Sequence, residues 1–193
     1  MSEFSEDYYA SNNYSDYMQR GDRYLRTADE IVQQLETLGL NKEGLICDFG
    51  CAVGFLSAGL KSVQKNPVYG VDVSEYARGV CERKGITALK EITDSQHSVV
   101  FSLDVFEHLS SSELHDMFSK LKTECIVFRM PVVVNSGEDY PLAVSRADPT
   151  HKIRWTKDEW RSFFKEYGFM SLDLNLHTIY NSDGVFTGIA IKL

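Results

Sequence analysis

The 193-residue sequence has only four cysteines and four prolines, no excess of basic charge, and no apolar run long enough to span a membrane. Each shortage excludes a class. Cys47, Cys51, Cys81 and Cys125 form no C-x-x-C pair, so neither a disulfide framework nor a zinc ribbon is indicated, and no metal site is expected. They read as small packing residues of a reduced, cytoplasmic protein without a secretory leader. With 20 Lys and Arg against 28 Asp and Glu, the net charge of −8 argues against nucleic acid as a partner, because such a partner is held mainly through its phosphates by a basic face. The best local basic patch, Lys152, Arg154, Lys157 and Arg161, suits a solvated surface around a helix start. No feature specifies an oligomeric state.

What is present is globular composition, 43% hydrophobic and 25% charged, in a chain long enough for one buried core and short for two. It is organised around Asp48-Phe49-Gly50-Cys51-Ala52-Val53-Gly54. Residues 45–47 form an apolar run before this segment, and 55–60 resume with helical spacing after it, which reads as strand, tight turn and helix. Gly50 permits backbone angles closed to other residues, and Gly54 lets a ligand or a neighbouring strand approach the first helical turn. The helix start offers unpaired N–H groups to a polar ligand. The dinucleotide template G-x-G-x-x-G falls on Gly50, Ala52 and Phe55, so two of its three glycines are absent.

Leu25, Ala28, Ile31, Val32, Leu35 and Leu38 recur every three or four positions and predict an amphipathic helix over 22–38, closed by Gly39. Strands are expected near 44–49, 67–72, 86–89, 98–103 and 125–128, alternating with helices, which implies a parallel sheet. Ser74 is a helix cap, and Ser110-x-x-Glu113 and Thr156-x-x-Glu159 have the capping-box form. Residues 169–176 and 184–193 flank a turn-prone Asn181-Ser182-Asp183-Gly184 and predict a terminal antiparallel hairpin. Two stretches lie outside this scheme. Residues 1–21 are acidic and carry Tyr8, Tyr9, Tyr14 and Tyr17, which suits either a loosely ordered tail or a flap over the ligand site. Some two dozen residues after Pro131 lack periodicity, and a loop of that length in a compact domain is usually functional.

The segment 48–54 resembles motif I of the class I methyltransferases that depend on S-adenosyl-L-methionine (SAM), a pattern of the type D-x-G-C-G-x-G, with Ala52 in place of the central glycine. Gly70-Val71-Asp72-Val73-Ser74 follows in family order; Asp72 stands 22 residues after Gly50 (72 − 50 = 22), where an acid can accept both hydroxyls of an adenosine ribose. Asp104-Val105-Phe106-Glu107-His108-Leu109 is similar to the D-V-x-E-H-L motif of small-molecule methyltransferases, including ubiquinone-biosynthesis and sugar-modifying members. Asp148-Pro149-Thr150-His151 resembles the D-x-T-H segment before the last helix.

The resemblance implies an α/β fold, a Rossmann-like doubly wound sheet of seven strands, mostly parallel with a C-terminal antiparallel hairpin. Residues 22–193 would form a single SAM-binding domain, with 1–21 as a tyrosine-rich flap. By the same resemblance the cofactor would lie against Asp48, Gly50, Cys51, Ala52, Gly54, Phe55, Asp72, Val73 and Leu89 and the backbone of Leu103 and Asp104, with Glu91 within reach of the adenine amino group. Tyr14, Tyr17 and His108 would face the acceptor. His151 is the candidate general base and Asp148 the group that fixes its tautomer, although in-line positioning alone lowers such a barrier substantially. Glu107 and His108 also suit a plain helix start. The implied function is transfer of a methyl group to an oxygen or nitrogen of a small-molecule acceptor by direct displacement. Two alternatives remain: a protein or RNA methyltransferase with residues 132–155 as an open groove, and a SAM-binding domain without turnover.

Overall fold

A computed structural model describes residues 4–10 and 16–193. Tyr14, one of the candidate acceptor contacts, lies outside the described residues. Seven strands form one sheet: β1 (Leu45–Phe49), β2 (Val68–Val71), β3 (Ala88–Leu89), β4 (His97–Leu103), β5 (Cys125–Pro131), β6 (Phe169–Asp173) and β7 (Val185–Lys192). Their order is β3-β2-β1-β4-β5-β7-β6. The first five strands are parallel, and β7 runs antiparallel between β5 and β6. The helices are α1 (Glu6–Tyr9), α2 (Gly21–Thr37), α3 (Phe55–Val63), α4 (Glu75–Arg83), α5 (Ser111–Lys120), α6 (Ala143–Ala147) and α7 (Lys157–Glu166). This is the α/β sheet with an antiparallel C-terminal pair that the element order implied.

Both faces of the sheet are covered, which is why its central strands read as unbroken apolar runs rather than alternating ones. Ile46, Val99, Phe101 and Val127 pack with Ala28, Ile31 and Leu35 of α2 and with Leu56 and Leu60 of α3. On the opposite face Cys47, Val100, Ile126 and Phe128 meet Leu114 and Phe118 of α5 and Trp160, Phe163 and Phe164 of α7. Phe164 stacks on Phe128 at 4.6 Å between ring centroids. Each side chain buried this fully contributes roughly 1.5–3 kcal/mol. Local signals fix the helix starts: both capping boxes form, and Ser74 Oγ accepts the Ala77 N–H.

The sequence reading needs correction in detail. The buried stripe of α2 is narrower than its period suggests, because Leu25 and Leu38 are 43% and 50% exposed. β5 runs on to Pro131, three residues beyond the expected end, carried by its register with β7. Residues 132–155 are not structureless. They contain α6 and bury Val132, Val133, Tyr140 and Ile153 one at a time, so no helical or strand period could develop. The Tyr140 hydroxyl donates to the Ile153 carbonyl and closes this excursion on itself.

β1 pairs with β2 on one side and β4 on the other, so the chain direction of assembly reverses there. At such a switch point the loops leaving the carboxyl ends of the strands diverge and open a crevice.

Candidate active site

The turn after β1 owes its shape to backbone angles that side chains disfavour. Gly50 has φ +76°, and a Cβ there would collide with the methyl groups of Val105. Gly54 has φ +80°, and a Cβ would lie 2.8 Å from Cys81 Sγ and 2.9 Å from Ile86 Cδ1. The close approach expected at Gly54, of a ligand or a neighbouring strand, is made by the side chains of Cys81 and Ile86. Ala52 adopts φ +47° without glycine's freedom, a conformation that costs an L-residue roughly 1–2 kcal/mol. What this geometry provides is direction: the Ala52 N–H donates to Asp72 Oδ2 at 2.8 Å, while the Ser74 N–H donates to Oδ1 at 2.8 Å. Asp72 is 9% exposed, and burial pushes its carboxyl up despite those bonds. A carboxylate accepts about four hydrogen bonds, so both oxygens keep capacity for a ligand.

Asp72 stands in the wall of a cavity of about 940 Å³ at the carboxyl ends of β1, β2 and β4. Gly50, Ala52, Val73, Leu103 and Asp104 share that wall. This is the upper range for small-molecule sites and leaves room for a nucleoside-sized ligand together with a second molecule. The N-terminal segment borders the same space. Tyr8 donates to Asp148 Oδ2 at 3.3 Å, Ser74 Oγ donates to the Phe4 carbonyl, and Tyr17 is buried beside Tyr9 and Phe55.

At the far end of the cavity two segments are clamped together. Residues Phe106–His108 form a 3₁₀ turn, and the Glu107 carbonyl accepts from the N–H groups of Lys152 (2.7 Å) and Ile153 (3.1 Å). The clamp brings the His108 and His151 rings to 4.7 Å between centroids. Glu107 Oε1 is 3.9 Å from His108 Nε2 and 4.0 Å from His151 Nε2, and Asp148 Oδ2 is 4.0 Å from His151 Nε2. Thr150 links the outer edge: its hydroxyl donates to Asp148 Oδ1 at 2.5 Å and lies 2.7 Å from His108 Nδ1. Burial lowers the His108 imidazole to about 4, with His151 adding to the effect. His151 is lowered by burial against an opposing pull from Asp148. Burial, then the nearby Asp104 charge, holds the Glu107 carboxyl well above the usual range. Asp148 would be raised by burial, but the Thr150 hydroxyl and N–H keep it below its ordinary value.

No family model and no curated protein matches the sequence. Solved structures match the fold. Magnesium protoporphyrin IX methyltransferase (ChlM) from Synechocystis PCC 6803, with bound S-adenosylhomocysteine, is 20% identical, with 97% of each chain covered and a TM-score of 0.67. DesVI of Streptomyces venezuelae is 13% identical over 92% of this chain and 95% of its own, with a TM-score of 0.68. A SAM-dependent methyltransferase from Archaeoglobus fulgidus is 19% identical over 91% and 99%, with a TM-score of 0.62. The chain has the class I methyltransferase fold.

Within this methyltransferase fold the expected site residues divide. Gly50, Ala52, Asp72, Val73, Leu103, Asp104, Tyr17, His108, Asp148 and His151 border the same cavity. Asp48, Cys51, Gly54, Phe55 and Leu89 are not among its wall residues. Asp48 is buried beneath the turn, accepts the Ser57 hydroxyl at 2.5 Å and is pushed up to about 7 by burial. Cys51 turns towards Cys81, 3.9 Å between sulfurs, and Phe55 stacks on Tyr24 with the Lys84 ammonium 3.8 Å from its ring centroid. Leu89 is replaced in the wall by Lys90, Glu91 and Ile92. Sequence reasoning placed Tyr8 in the flap, Thr150 in the D-x-T-H segment and Glu107 at a helix start, without assigning any of the three a role at the site, whereas Tyr8 and Glu107 border the cavity and Thr150 bridges Asp148 and His108. It also missed Arg129, which pairs with Asp104 and donates to the Tyr180 carbonyl at 3.0 Å. An arginine inside the apolar run of β5 was the available signal.

Proposed function

We propose that this protein is an enzyme that moves the methyl group of S-adenosyl-L-methionine to an oxygen or nitrogen of a small-molecule acceptor. The carrying observation is the Asp72 carboxylate, fixed by the Ala52 and Ser74 N–H groups at the cavity wall where a ribose can donate both hydroxyls to it. That one solved neighbour of this fold holds S-adenosylhomocysteine supports the choice of cofactor. Gly50, Ala52, Leu103, Asp104, Glu91 and Ile92 line the same cavity; the backbone of Gly50 and Ala52 would hold the cofactor, that of Leu103 and Asp104 would serve its methionine part, and Glu91 and Ile92 would serve the adenine. The name of that neighbour, a magnesium protoporphyrin IX methyltransferase, is in keeping with a small-molecule acceptor. Net charge of −8 disfavours nucleic acid.

Methyl transfer by displacement forms a bond from the acceptor to the methyl carbon and breaks the carbon–sulfur bond, with sulfur keeping the electron pair. The protein must hold nucleophile, carbon and sulfur in line and take up the acceptor proton. His151, kept neutral by burial, takes that proton at Nε2, and Asp148 at 4.0 Å favours the resulting imidazolium. Residues 22–193 act as one SAM-binding unit, and the N-terminal segment with Tyr8 and Tyr17 serves as its flap, excluding water. No helix among the described residues is long and apolar enough to cross a membrane, and the four cysteines are free and buried, which fits a reducing cytoplasm.

The test is incubation with methyl-labelled SAM and fractionated metabolites. Label should move to a low-mass product, and His151→Ala should abolish most of it. Label found only on macromolecules would point to the protein or RNA alternative instead.

A further inference from the structure

Glu107 presents a problem that methyl transfer alone does not explain. Its side chain is 1% exposed, yet Oε2 has no hydrogen-bond partner, and Oε1 faces two imidazole nitrogens at 3.9 and 4.0 Å, beyond hydrogen-bond reach. A buried carboxyl oxygen without a partner is costly, and a bound cation is one group that can complete it. The neighbours are arranged to do so. The single proton of the Thr150 hydroxyl goes to Asp148 Oδ1, so the Thr150 oxygen can only accept from His108 Nδ1–H. That bond fixes the tautomer of His108 and leaves the Nε2 lone pair directed at Glu107. A histidine whose far nitrogen is held by a hydrogen bond to a carboxylate-linked group is the arrangement that orients metal ligands.

We propose that Glu107, His108 and His151 form a site for one divalent transition-metal cation, with its open coordination position facing the cavity and taking an acceptor oxygen. One ligand atom from each residue lies within 4.8 Å of the others. Ligands of a tetrahedral cation at ~2.1 Å stand roughly 3.4 Å apart, so small side-chain rotations close the site. Two imidazoles and one carboxylate favour zinc or cobalt over magnesium or calcium. All three residues border the cavity, which gives the open position access to a ligand. The expectation of no metal, read from cysteine spacing, overlooked this site because its ligands come from two segments 43 residues apart (151 − 108 = 43). A bound cation occupies the His151 lone pair, so the imidazole acts as proton acceptor only in the metal-free protein. A hydroxyl on the cation is instead acidified by the metal. The acceptor part of the proposal rests on the methyltransferase reading; the cation site does not.

The full chain, stripped with chelator, is titrated with Co²⁺ and followed by its visible spectrum, and each sample is also titrated with S-adenosylhomocysteine by calorimetry. The expected result is one Co²⁺ per chain, without the thiolate charge-transfer band that the buried cysteines would give, displaced by Zn²⁺ and not by Mg²⁺. Glu107→Gln, nearly isosteric, and His151→Ala should weaken Co²⁺ binding by about tenfold or more while S-adenosylhomocysteine still binds. Failure of the parent to bind Co²⁺, a thiolate band, or unchanged Co²⁺ affinity in a folded Glu107→Gln would overturn the site. If S-adenosylhomocysteine binds and Co²⁺ does not, the cation site alone is refuted. If Co²⁺ binds as expected and S-adenosylhomocysteine does not, the site stands and the methyltransferase reading fails.

Discussion

The Ala52 N–H donates to Asp72 Oδ2 across 2.8 Å, tying the turn after β1 to the end of β2 and aiming the carboxylate along the cavity wall. In the proposed cofactor pose, replacing Asp72 with Ala removes the acceptor for two ribose hydroxyls, each charge-assisted bond contributing on the order of 1.5–3 kcal/mol. S-Adenosylhomocysteine affinity should fall by about tenfold or more. Calorimetry on a folded Asp72→Ala protein checks this, and unchanged affinity would remove Asp72 from the cofactor site.

Ala52 holds φ +47° that glycine adopts freely. Ala52→Gly relieves that strain and adds some freedom to the unfolded chain, for a net gain of roughly 0.5–1 kcal/mol. Thermal unfolding should shift upward by about 1–4 °C. A lower melting temperature would mean that the alanine methyl group contributes packing that outweighs the strain.

Asp48 makes stability depend on pH. Burial lifts its carboxyl to about 7 in the folded protein, whereas the unfolded chain titrates near ~3.9. Between those values the folded state holds a proton that the unfolded state has released, so stability declines as pH rises from about 4 to about 7 and then levels off. The decline from this group is on the order of 1–4 kcal/mol. Asp48→Asn keeps a neutral donor and acceptor at the same place, so its melting temperature should hold steady from pH 5 to 8 relative to the falling parent. A constant difference between the two curves would show that Asp48 is not protonated in the fold.

The roles proposed for the N-terminal segment, as a flap, and for His151, as the base, are tested separately. Deleting residues 1–17 should leave the sheet folded, judged by circular dichroism, while methyl transfer falls, because Tyr8 and Phe4 no longer border the cavity. His151→Ala should reduce turnover by roughly 10²-fold or more with cofactor binding little changed. Wild-type turnover in the deletion would make the segment a dispensable tail.

The middle of the sheet is legible in the sequence because its central strands are buried on both faces, and β1, β2 and β4 each end at or beside an acid. The candidate site is legible where short motifs carry it: Gly50 follows β1, Asp72 follows its parallel neighbour β2, and Asp148 and His151 share one four-residue segment. It is illegible where a contact joins distant segments. Thr150 meets His108 across 42 residues, and nothing local marks that threonine as a relay. Asp48 and Cys51 share a motif with Gly50, but strand geometry turns their side chains into the interior, where Ser57 and Cys81 meet them. Spacing along a motif does not say which side of a turn faces the ligand.

Calorimetric titration of the unmodified protein with S-adenosylhomocysteine, and in parallel with NADH, decides which cofactor the cavity takes. Saturable one-site binding of S-adenosylhomocysteine with no heat of binding from NADH is the predicted result. Binding of NADH, or no binding of S-adenosylhomocysteine by a folded protein, would contradict it.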